Sequence, residues 1–238
     1  MENFYSRTEM AFKKEGVNNL KNAHVAVFGL GGVGSYCFES LIRSGVQTLS
    51  IFDADSYSTS NLNRQLFATT LTVGQKKVIS AKERALQINK NAQVYAYDVF
   101  IDKTTIQDID FTKFDYVVDA IDTVSSKVEI IKKARENGVK VISAMSAGNK
   151  LDATAFKVAD ICKTKVCPLA KIMRKLLKEQ GIQNVKVVYS EEEPIEVFNQ
   201  NETIKKGDKK AISSVSFVPS VMGLIMSGEV IKDIAFNR

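Results

Sequence analysis

Two cations follow a glycine-rich turn at a spacing that suits polyphosphate chemistry. Arg64 lies in a polar run after the second predicted strand, and Lys77 opens a helix after the run Val73-Gly74-Gln75. An arginine fork and a lysine point charge beside one glycine loop can clamp a polyphosphate. An enzyme that splits a nucleoside triphosphate needs such a clamp, whereas a hydride-transferring enzyme does not. The alternative is a basic surface loop, but a lysine in a first helical turn opposes the helix dipole, so helix stability does not explain Lys77.

The glycine turn itself has the pattern of a phosphate-binding loop. Val25 to Phe28 reads as a buried strand, and Gly29, Gly31 and Gly34 follow it before an amphipathic helix. The first glycine permits the tight turn, the second lets backbone approach a phosphate, and the third lets the helix pack on the strand. Gly32 adds another position without a side chain. The alternative is a turn that only packs, but the strand before it and the helix after it favour nucleotide binding.

Carboxylates stand at the ends of two predicted strands. Asp53 follows the strand Gln47–Phe52, about 20 residues beyond the last glycine, where an acceptor for ribose hydroxyls is expected. Asp55 is a second candidate, or it caps the following loop. Asp122 follows the strand Asp115–Asp119 and is placed to hold a magnesium ion that bridges phosphates. Its alternative role is the N-cap of the next helix.

The alternation of strands and helices predicts an α/β fold, a Rossmann-like mostly parallel sheet with helices on both faces. Antiparallel strands are expected from the C-terminal part, because residues 154–160 alternate like an exposed strand. We expect residues 1–238 to form a single domain. Its parts are a nucleotide-binding core at 1–150 and a C-terminal extension at 151–238 that carries a basic helix and a mobile loop near 199–210.

A helix precedes the first strand. Residues 6–15 are predicted to be helical, with Ser6 and Glu9 as a capping box and Gly16 as the end. Arg7 lies in the first turn of this helix, where a cation opposes the dipole. Arg7 is therefore either solvated or aimed at an anion elsewhere, and the residues alone favour the solvated role.

A second basic element follows in the C-terminal part. Residues 166–180 predict an amphipathic helix with Pro168 near its start. The net charge of the chain, +6, is a mild indication of a polyanionic partner. A solvated helix face is the alternative to a nucleic-acid contact. The candidate nucleic-acid residues are Lys171, Arg174, Lys175 and Lys178.

Composition and cysteine content narrow the class of protein. The chain is 45% hydrophobic and 25% charged, and no secretory signal or apolar run of membrane-spanning length is found. Three cysteines argue against a disulfide framework and for a reducing cytoplasm. Cys162 and Cys167 are too few for a zinc site. His24, the only histidine, opens a buried strand, so a structural role is favoured over that of a catalytic base.

Five motifs together resemble the ATP-dependent adenylating enzymes that include MoeB, ThiF, HesA and the ubiquitin-activating enzymes. Their order and spacing match as a set, which is more specific than a glycine loop alone. The motifs are GLGGVGS at 29–35, DAD at 53–55, NLNRQ at 61–65, VGQKK at 73–77 and DAID at 119–122.

The resemblance implies a role for each matching residue. Asp53 binds the ribose, Asp122 binds Mg²⁺, and Arg7 reaches across a homodimer to the partner's ATP. Asn63, Arg64 and Lys77 contact phosphates, so Arg64, Lys77 and Asp122 are the implied catalytic residues. The implied ATP site as a whole comprises Gly29, Gly31, Gly32, Gly34, Asp53, Asp55, Asn63, Arg64, Gln65, Lys77 and Arg7.

The C-terminal half narrows the resemblance to one branch of this family. Residues 146–177, 186–194 and 216–233 are similar to the tRNA threonylcarbamoyladenosine dehydratases. The implied reaction adenylates the carboxylate of threonylcarbamoyladenosine in tRNA, after which the modification's own nitrogen closes a ring and releases AMP. An intramolecular attack needs no enzyme nucleophile, which fits the absence of a convincing catalytic cysteine.

Two alternatives stay open. The first is an adenylating activator of a ubiquitin-like or sulfur-carrier protein, in which Cys162 and Cys167 serve sulfur transfer with a cysteine desulfurase or sulfur-acceptor partner. The chain lacks the zinc cysteines of MoeB and ThiF, which argues against those two enzymes. The second alternative is an NAD-binding oxidoreductase or a plain nucleotide-binding module, which would leave Arg64 and Lys77 without a task.

Overall fold

The computed structural model describes residues 3–197 and 212–237, so the loop predicted at 199–210 lies outside the described residues. Within them, one sheet of seven strands forms the centre of the molecule, in the order β3-β2-β1-β4-β5-β7-β6. The strands are β1 (His24–Phe28), β2 (Thr48–Phe52), β3 (Gln93–Tyr97), β4 (Tyr116–Asp119), β5 (Lys140–Ala144), β6 (Phe156–Asp160) and β7 (Lys186–Ser190).

The predicted Rossmann-like sheet is confirmed. In the sheet order β3-β2-β1-β4-β5-β7, each strand is parallel to its neighbour. At the edge, β6 pairs antiparallel with β7. The central strands are buried on both faces, which is why they read as continuous apolar runs. The expectation of added antiparallel strands holds for β6 alone, because β7 runs parallel to β5.

Helices cover both faces of the sheet. They are α1 (Ser6–Asn22), α2 (Gly34–Ser44), α3 (Lys77–Ile88), α4 (Val124–Glu136), α5 (Pro168–Glu179) and α6 (Phe217–Ala235). One core packs α1, α2, α3 and α6 against the sheet through residues such as Leu20, Phe38 and Met222. The other packs α4 and α5 through residues such as Ile131 and Met173. In the described part of the chain, no helix is long and apolar enough to cross a membrane.

The N-terminal helix differs from its prediction. It continues to Asn22 through a kink at Lys13, where φ is 60° and ψ is 172°, so the expected end at Gly16 is wrong. Gly16 is buried, and a Cβ there would lie 3.2 Å from the Ala235 backbone oxygen. Its missing side chain lets the end of α6 pack closely. The predicted capping box is also absent, because the Ser6 hydroxyl accepts a hydrogen bond from the Asn3 N–H.

The topology places a crevice between β1 and β4. From β1 the chain moves outward through β2 and β3, and it then returns to β4 on the other side and continues to β5. Open α/β sheets keep their ligand sites at the carboxyl ends of strands where this reversal occurs. The glycine turn follows β1 and Asp122 follows β4, so both lie at this crevice.

Candidate functional site

A cleft of about 620 Å³ lies at the carboxyl ends of β1 and β4. The structure brings most of the sequence-predicted site residues to its walls, although they come from five separate segments. The predicted residues that line it are Gly29, Gly31, Gly32, Asp53, Asp55, Arg64, Gln65, Lys77 and Asp122.

The glycines of the turn lack a side chain for different structural reasons. Gly29 has a φ of +88°, and a Cβ there would lie 2.7 Å from the Ala120 backbone oxygen. At Gly34 a Cβ would lie 1.8 Å from the Gly29 oxygen, so this glycine allows α2 to pack on the turn. At Gly31 the nearest atom is the Gln65 Nε2, at 3.8 Å. The backbone of Gly31 therefore faces open space in the cleft, whereas Gly34 lies behind the wall.

Asp53 ties the glycine turn to the end of β2. Its carboxylate accepts hydrogen bonds from the Leu30 N–H at 2.7 Å and from the Asp55 N–H at 2.9 Å. Burial raises the pKa of Asp53, although the Lys77 ammonium opposes the shift. The carboxylate is thus held at the position from which a strand-end acid would reach a ribose.

The two adjacent lysines at the start of α3 point in different directions. Lys77 is 5% exposed, and its Nζ lies 2.7 Å from Asp55 Oδ2 and 3.7 Å from Asp53 Oδ1. Lys76 instead donates to the Ala54 oxygen at 2.9 Å and to Asp98 at 3.0 Å. Only Lys77 lines the cleft, and its charge is held between two carboxylates with which an incoming anion would compete.

Arg64 lines the cleft beside the glycine turn, where a Cβ at Gly32 would lie 3.4 Å from Arg64 Cγ, and Asn63 supports it. The Arg64 guanidinium donates to the Ser60 oxygen at 2.8 Å and to Asn63 Oδ1 at 2.9 Å. Asn63 is not among the residues that line the cleft, and its Nδ2 donates to the Ser214 oxygen at 3.0 Å. Gln65 is 7% exposed, and its buried Oε1 has no hydrogen-bond partner in the described structure. An unpaired buried acceptor at a cleft wall is unusual and indicates a polar ligand or water.

Asp122 is exposed and lines the cleft from the loop after β4. The alternative that it caps α4 is not realised, because Thr123 is the N-cap residue and no side chain caps that helix. Among the described residues, no group of three or more His, Cys, Asp or Glu side chains is placed to hold a metal. A single carboxylate facing a phosphate site nevertheless fits Mg²⁺, which is commonly held by one or two carboxylates together with substrate phosphates.

A buried ion pair supports the loop that carries Asp122. Lys127 Nζ lies 2.9 Å from Asp119 Oδ2, and both side chains are fully buried. The same ammonium donates to the Ile121 oxygen at 3.0 Å, and the Ser143 hydroxyl donates to Asp119 at 2.6 Å. This group was not predicted from the sequence, although a lysine on the apolar face of α4 was a signal that could have indicated it.

The remaining walls were also missed. Apolar residues after β3 line one end of the cleft, where no periodicity marked them. The opposite end is formed by the small-residue loop after β5, the start of α5 and the segment before α6. The residues of these walls include Val99, Phe100, Ile101, Ser146, Gly148, Leu169, Ile212, Ser214 and Pro219.

The four cations predicted to bind nucleic acid line a second groove along α5, together with Cys162 and Gln183. Their spacing of three and four residues places them on one helix face. Arg174 donates to the Thr164 oxygen at 3.0 Å, which fixes its guanidinium, and Lys175 lies 3.9 Å from Glu179. Leu169, in the first turn of this helix, lines the main cleft, so α5 borders both the cleft and the groove.

Arg7 and the three cysteines lie outside the cleft. Arg7 is exposed on α1 and is not among the described residues that line the cleft. Cys162 is exposed in the basic groove, whereas Cys167 is buried, so the two thiols do not share one accessible surface. Burial raises the pKa of Cys37, which is a core residue of α2.

Comparison with known proteins agrees with this geometry. The ThiF family matches residues 5–236. The chain belongs to the ThiF family. A relative from Bacillus subtilis (strain 168) named tRNA threonylcarbamoyladenosine dehydratase is 43% identical over 97% of this chain and 94% of its own length.

Solved structures of a ThiF-family protein match the whole fold. The Escherichia coli tRNA N6-threonylcarbamoyladenosine dehydratase, TcdA, solved in complex with AMP, matches with a TM-score of 0.88 and 28% identity over 98% of this chain and 94% of that one. The ATP complex of the same protein matches with a TM-score of 0.85, 27% identity and the same coverage. An adenylyltransferase and sulfurtransferase from Vanderwaltozyma polyspora is 35% identical, but over 57% of this chain and 31% of its own length.

Proposed function

We propose that this chain is an ATP-dependent tRNA-modifying enzyme that converts threonylcarbamoyladenosine to its cyclic form, with release of AMP and pyrophosphate. The observation that carries the proposal is the cleft in which bare glycine backbone, Arg64 and the buried Lys77 meet. The Bacillus subtilis relative, 43% identical over nearly the whole chain, supports the choice of substrate. The E. coli protein solved with ATP and with AMP supports the use of ATP.

The chemistry divides into two transfers at one carboxylate. A carboxylate oxygen of the modified nucleoside attacks the α-phosphorus of ATP, and pyrophosphate leaves. The nitrogen of the same modification then attacks the activated carbonyl carbon, loses its proton, and AMP leaves with the former carboxylate oxygen. The net change in the nucleoside is the loss of one water. Because the attacking nitrogen belongs to the substrate, the step gains the advantage of proximity and needs no enzyme nucleophile.

The nucleotide occupies the half of the cleft between the glycine turn and Lys77. Asp53 accepts hydrogen bonds from the ribose hydroxyls, while Gly31 offers a backbone that no side chain of its own covers. Gly29, Gly32 and Gly34 give the turn its shape. The apolar residues after β3 provide a surface on which an adenine ring packs.

The phosphates are held by Arg64 and Lys77, and Asn63 supports Arg64 from outside the cleft. The Lys77 ammonium pairs with Asp55 Oδ2 at 2.7 Å. A phosphate bound beside Lys77 would compete with Asp55 for this ammonium, because both are anions at the same buried charge. Gln65 presents its amide at the same wall. The two cations stabilise the charge that develops as pyrophosphate leaves.

Asp122 is the residue that would hold a magnesium ion at this site. Its carboxylate is exposed, faces the cleft and is free of any capping role. Mg²⁺ there would neutralise phosphate charge during adenylyl transfer. The Lys127–Asp119 pair below keeps the loop of Asp122 in place, because Lys127 also binds the Ile121 oxygen.

The tRNA is expected to lie along α5. Because α5 borders both the cleft and the basic groove, its cations would contact phosphates of a tRNA whose modified nucleoside enters the cleft. Binding of the tRNA backbone at the groove leaves the modified base available to enter the cleft. Arg174 is held by Thr164 and would offer a fixed guanidinium within the groove.

A homodimer accounts for Arg7, which lies outside its own cleft. In the proposed dimer, Arg7 of each subunit reaches the nucleotide of its partner. Subunits with Arg7→Ala and subunits with Lys77→Met, each inactive alone, should recover activity when mixed and reassembled. No recovery in a mixed dimer would contradict this arrangement.

The proposed place of action is the cytoplasm, where tRNA and ATP are available and free cysteines stay reduced. Cys162 is the accessible thiol and would be the contact point for a cysteine desulfurase or sulfur-acceptor partner. Ring closure does not require such a partner. The alternative of an activator of ubiquitin-like or sulfur-carrier proteins is supported by a relative that matches only 57% of this chain.

The direct test is mass spectrometry of nucleosides. tRNA that carries threonylcarbamoyladenosine is incubated with the enzyme, ATP and Mg²⁺ and then digested. The proposal predicts a nucleoside lighter by one water and an equal amount of AMP. An unchanged nucleoside, together with transfer of AMP to a protein carboxylate, would support the activator alternative instead.

A further inference from the structure

The segment 212–215, which we call the bridge segment, is held at the cleft by polar contacts from two sides. On one side, Asn149 Oδ1 accepts hydrogen bonds from the Ser213 N–H at 2.6 Å and from the Ser213 hydroxyl at 3.1 Å. The Asn149 N–H also donates to the Ser213 backbone oxygen at 2.9 Å. Asn149 thus fastens Ser213 with three hydrogen bonds.

On the other side, the bridge segment orients the residue that supports Arg64. The Ser214 oxygen accepts from Asn63 Nδ2 at 3.0 Å, and Asn63 Oδ1 accepts from the Arg64 guanidinium at 2.9 Å. An amide group has its donor and its acceptor on opposite sides, so a carbonyl that binds the NH₂ turns the oxygen the other way. The Ser214 carbonyl therefore orients the Asn63 amide so that its Oδ1 faces the Arg64 guanidinium.

Asn149 is itself fixed by its surroundings. Its φ is 58°, a conformation that asparagine tolerates, and its backbone oxygen accepts from the Ile195 N–H at 2.9 Å. The next residues, Leu151 and Asp152, donate their N–H groups to the Glu192 carboxylate at 2.8 and 3.1 Å. The loop after β5 is thus a firm support for the bridge segment.

We propose that Asn149 is a positioning residue for Arg64, and that it acts through the bridge segment and Asn63. The inference rests on the proposed function, in which Arg64 contacts the ATP phosphates. A cation that stabilises developing charge must be placed before the reaction begins, so a displaced guanidinium lowers the rate. The adenosine part of the nucleotide binds through separate contacts, because Asp53 is fixed by the N–H groups of Leu30 and Asp55 and not by Asn149.

Two variants of Asn149 separate the side-chain contact from the backbone conformation. Asn149→Gly keeps the positive φ without strain but removes the acceptor of both Ser213 bonds. Asn149→Asp keeps a carbonyl-like oxygen that both Ser213 donors can use, and aspartate also tolerates this φ. We expect Asn149→Gly to lower kcat about 10- to 100-fold while the Kd for AMP stays unchanged. Asn149→Asp should restore most of kcat.

A second arm of the experiment does not depend on the reaction. Hydrogen–deuterium exchange should speed up in Asn149→Gly at Ser213 and also at residues 60–65, where Asn63 and Arg64 lie. In kinetics, Asn149→Gly combined with Asn63→Ala should cost no more than Asn63→Ala alone, because the two changes break one chain of contacts.

Three results would overturn the inference. They are an unchanged kcat in a folded Asn149→Gly variant, an Asn149→Asp variant no better than glycine, and faster exchange at Ser213 with none at residues 60–65. If the wild-type protein leaves the modified tRNA unchanged, the proposed function fails instead. The exchange measurement then still decides whether Asn149 controls the position of the Arg64 turn.

Discussion

The glycine-turn end of the cleft and the groove along α5 both carry positive charge, but they hold it in different ways. At the cleft, Lys77 is 5% exposed and paired with Asp55 at 2.7 Å, and the glycine turn leaves no room for added atoms at Gly34. Along α5, Lys171 and Lys178 have no such enclosure and lie in an open groove. Enclosed charges act through geometry, whereas exposed charges act through Coulomb attraction that salt screens. The same type of substitution should therefore have very different effects in the two regions.

The largest effect is expected at Lys77. Lys77→Met should lower kcat/KM for ring closure about 10³-fold, because a buried cation at the phosphates is lost. Lys76→Met is the matched control, since Lys76 is the neighbouring residue and binds Asp98 instead. Steady-state kinetics with modified tRNA measure both variants. Equal losses would mean that Lys77 has no special place at the phosphates.

Substitutions at two glycines of the turn should affect stability and ATP binding separately. Gly34→Ala places a Cβ 1.8 Å from the Gly29 oxygen, so we expect the free energy of unfolding to fall by about 3 kcal/mol or more. Gly31→Ala meets only Gln65 Nε2 at 3.8 Å and should keep its stability but weaken ATP binding. Thermal unfolding and calorimetric titration of ATP test the pair. A stable Gly34→Ala protein, or an unaffected ATP affinity in Gly31→Ala, would contradict this division.

The cations of α5 should contribute additively to tRNA affinity, and their contribution should decrease as salt increases. Replacing Lys171, Lys175 and Lys178 by glutamine should weaken tRNA binding and reduce the slope of log K against log salt by about 0.7 to 0.9 for each phosphate that is no longer neutralised. The control replaces Lys82, Lys90 and Lys103, which are exposed elsewhere, so the change in net charge is equal. Binding assays at several salt concentrations distinguish the two. An equal change of slope in both proteins would remove α5 as the tRNA surface.

A smaller effect is expected from pH at Asp53. Burial raises the pKa of this carboxyl group, and its ionised form is the better acceptor for ribose hydroxyls. AMP affinity should therefore fall as the pH drops through the raised pKa, at a higher pH than for an ordinary aspartate. In Asp53→Asn the affinity should be lower but independent of pH in this range. A wild-type affinity that stays flat across the same range would argue against Asp53 as the ribose acceptor.

The smallest effect is expected at the cysteines. Cys162→Ser combined with Cys167→Ala should leave the rate of ring closure unchanged, because the nitrogen that attacks belongs to the substrate. The assay is the same nucleoside analysis with a thermal-unfolding control, since Cys167 is buried. Loss of activity in a folded double variant would favour the alternative that depends on a thiol.

The sequence was informative where a residue's role depends on its own backbone. The glycines of the turn after β1, Asp53 at a strand end and the α5 cations at helical spacing were all placed correctly relative to their elements. Contacts between distant segments were not predictable. Nothing in the spacing of Asn149, Ser213 and Asn63 indicates that they meet, because their separation in sequence is bridged only by the packed fold. The role of Gly16 was predicted wrongly for the same reason, because a side chain there is excluded by the distant helix α6.

The most direct test of adenylation follows a carboxylate oxygen. Modified tRNA with ¹⁸O in the carboxylate of threonylcarbamoyladenosine is converted by the enzyme with unlabelled ATP, and the products are examined by mass spectrometry. Our account predicts that one labelled oxygen appears in AMP for each ring closed, because AMP leaves with the former carboxylate oxygen. Label that appears in water or pyrophosphate, with unlabelled AMP, would contradict it.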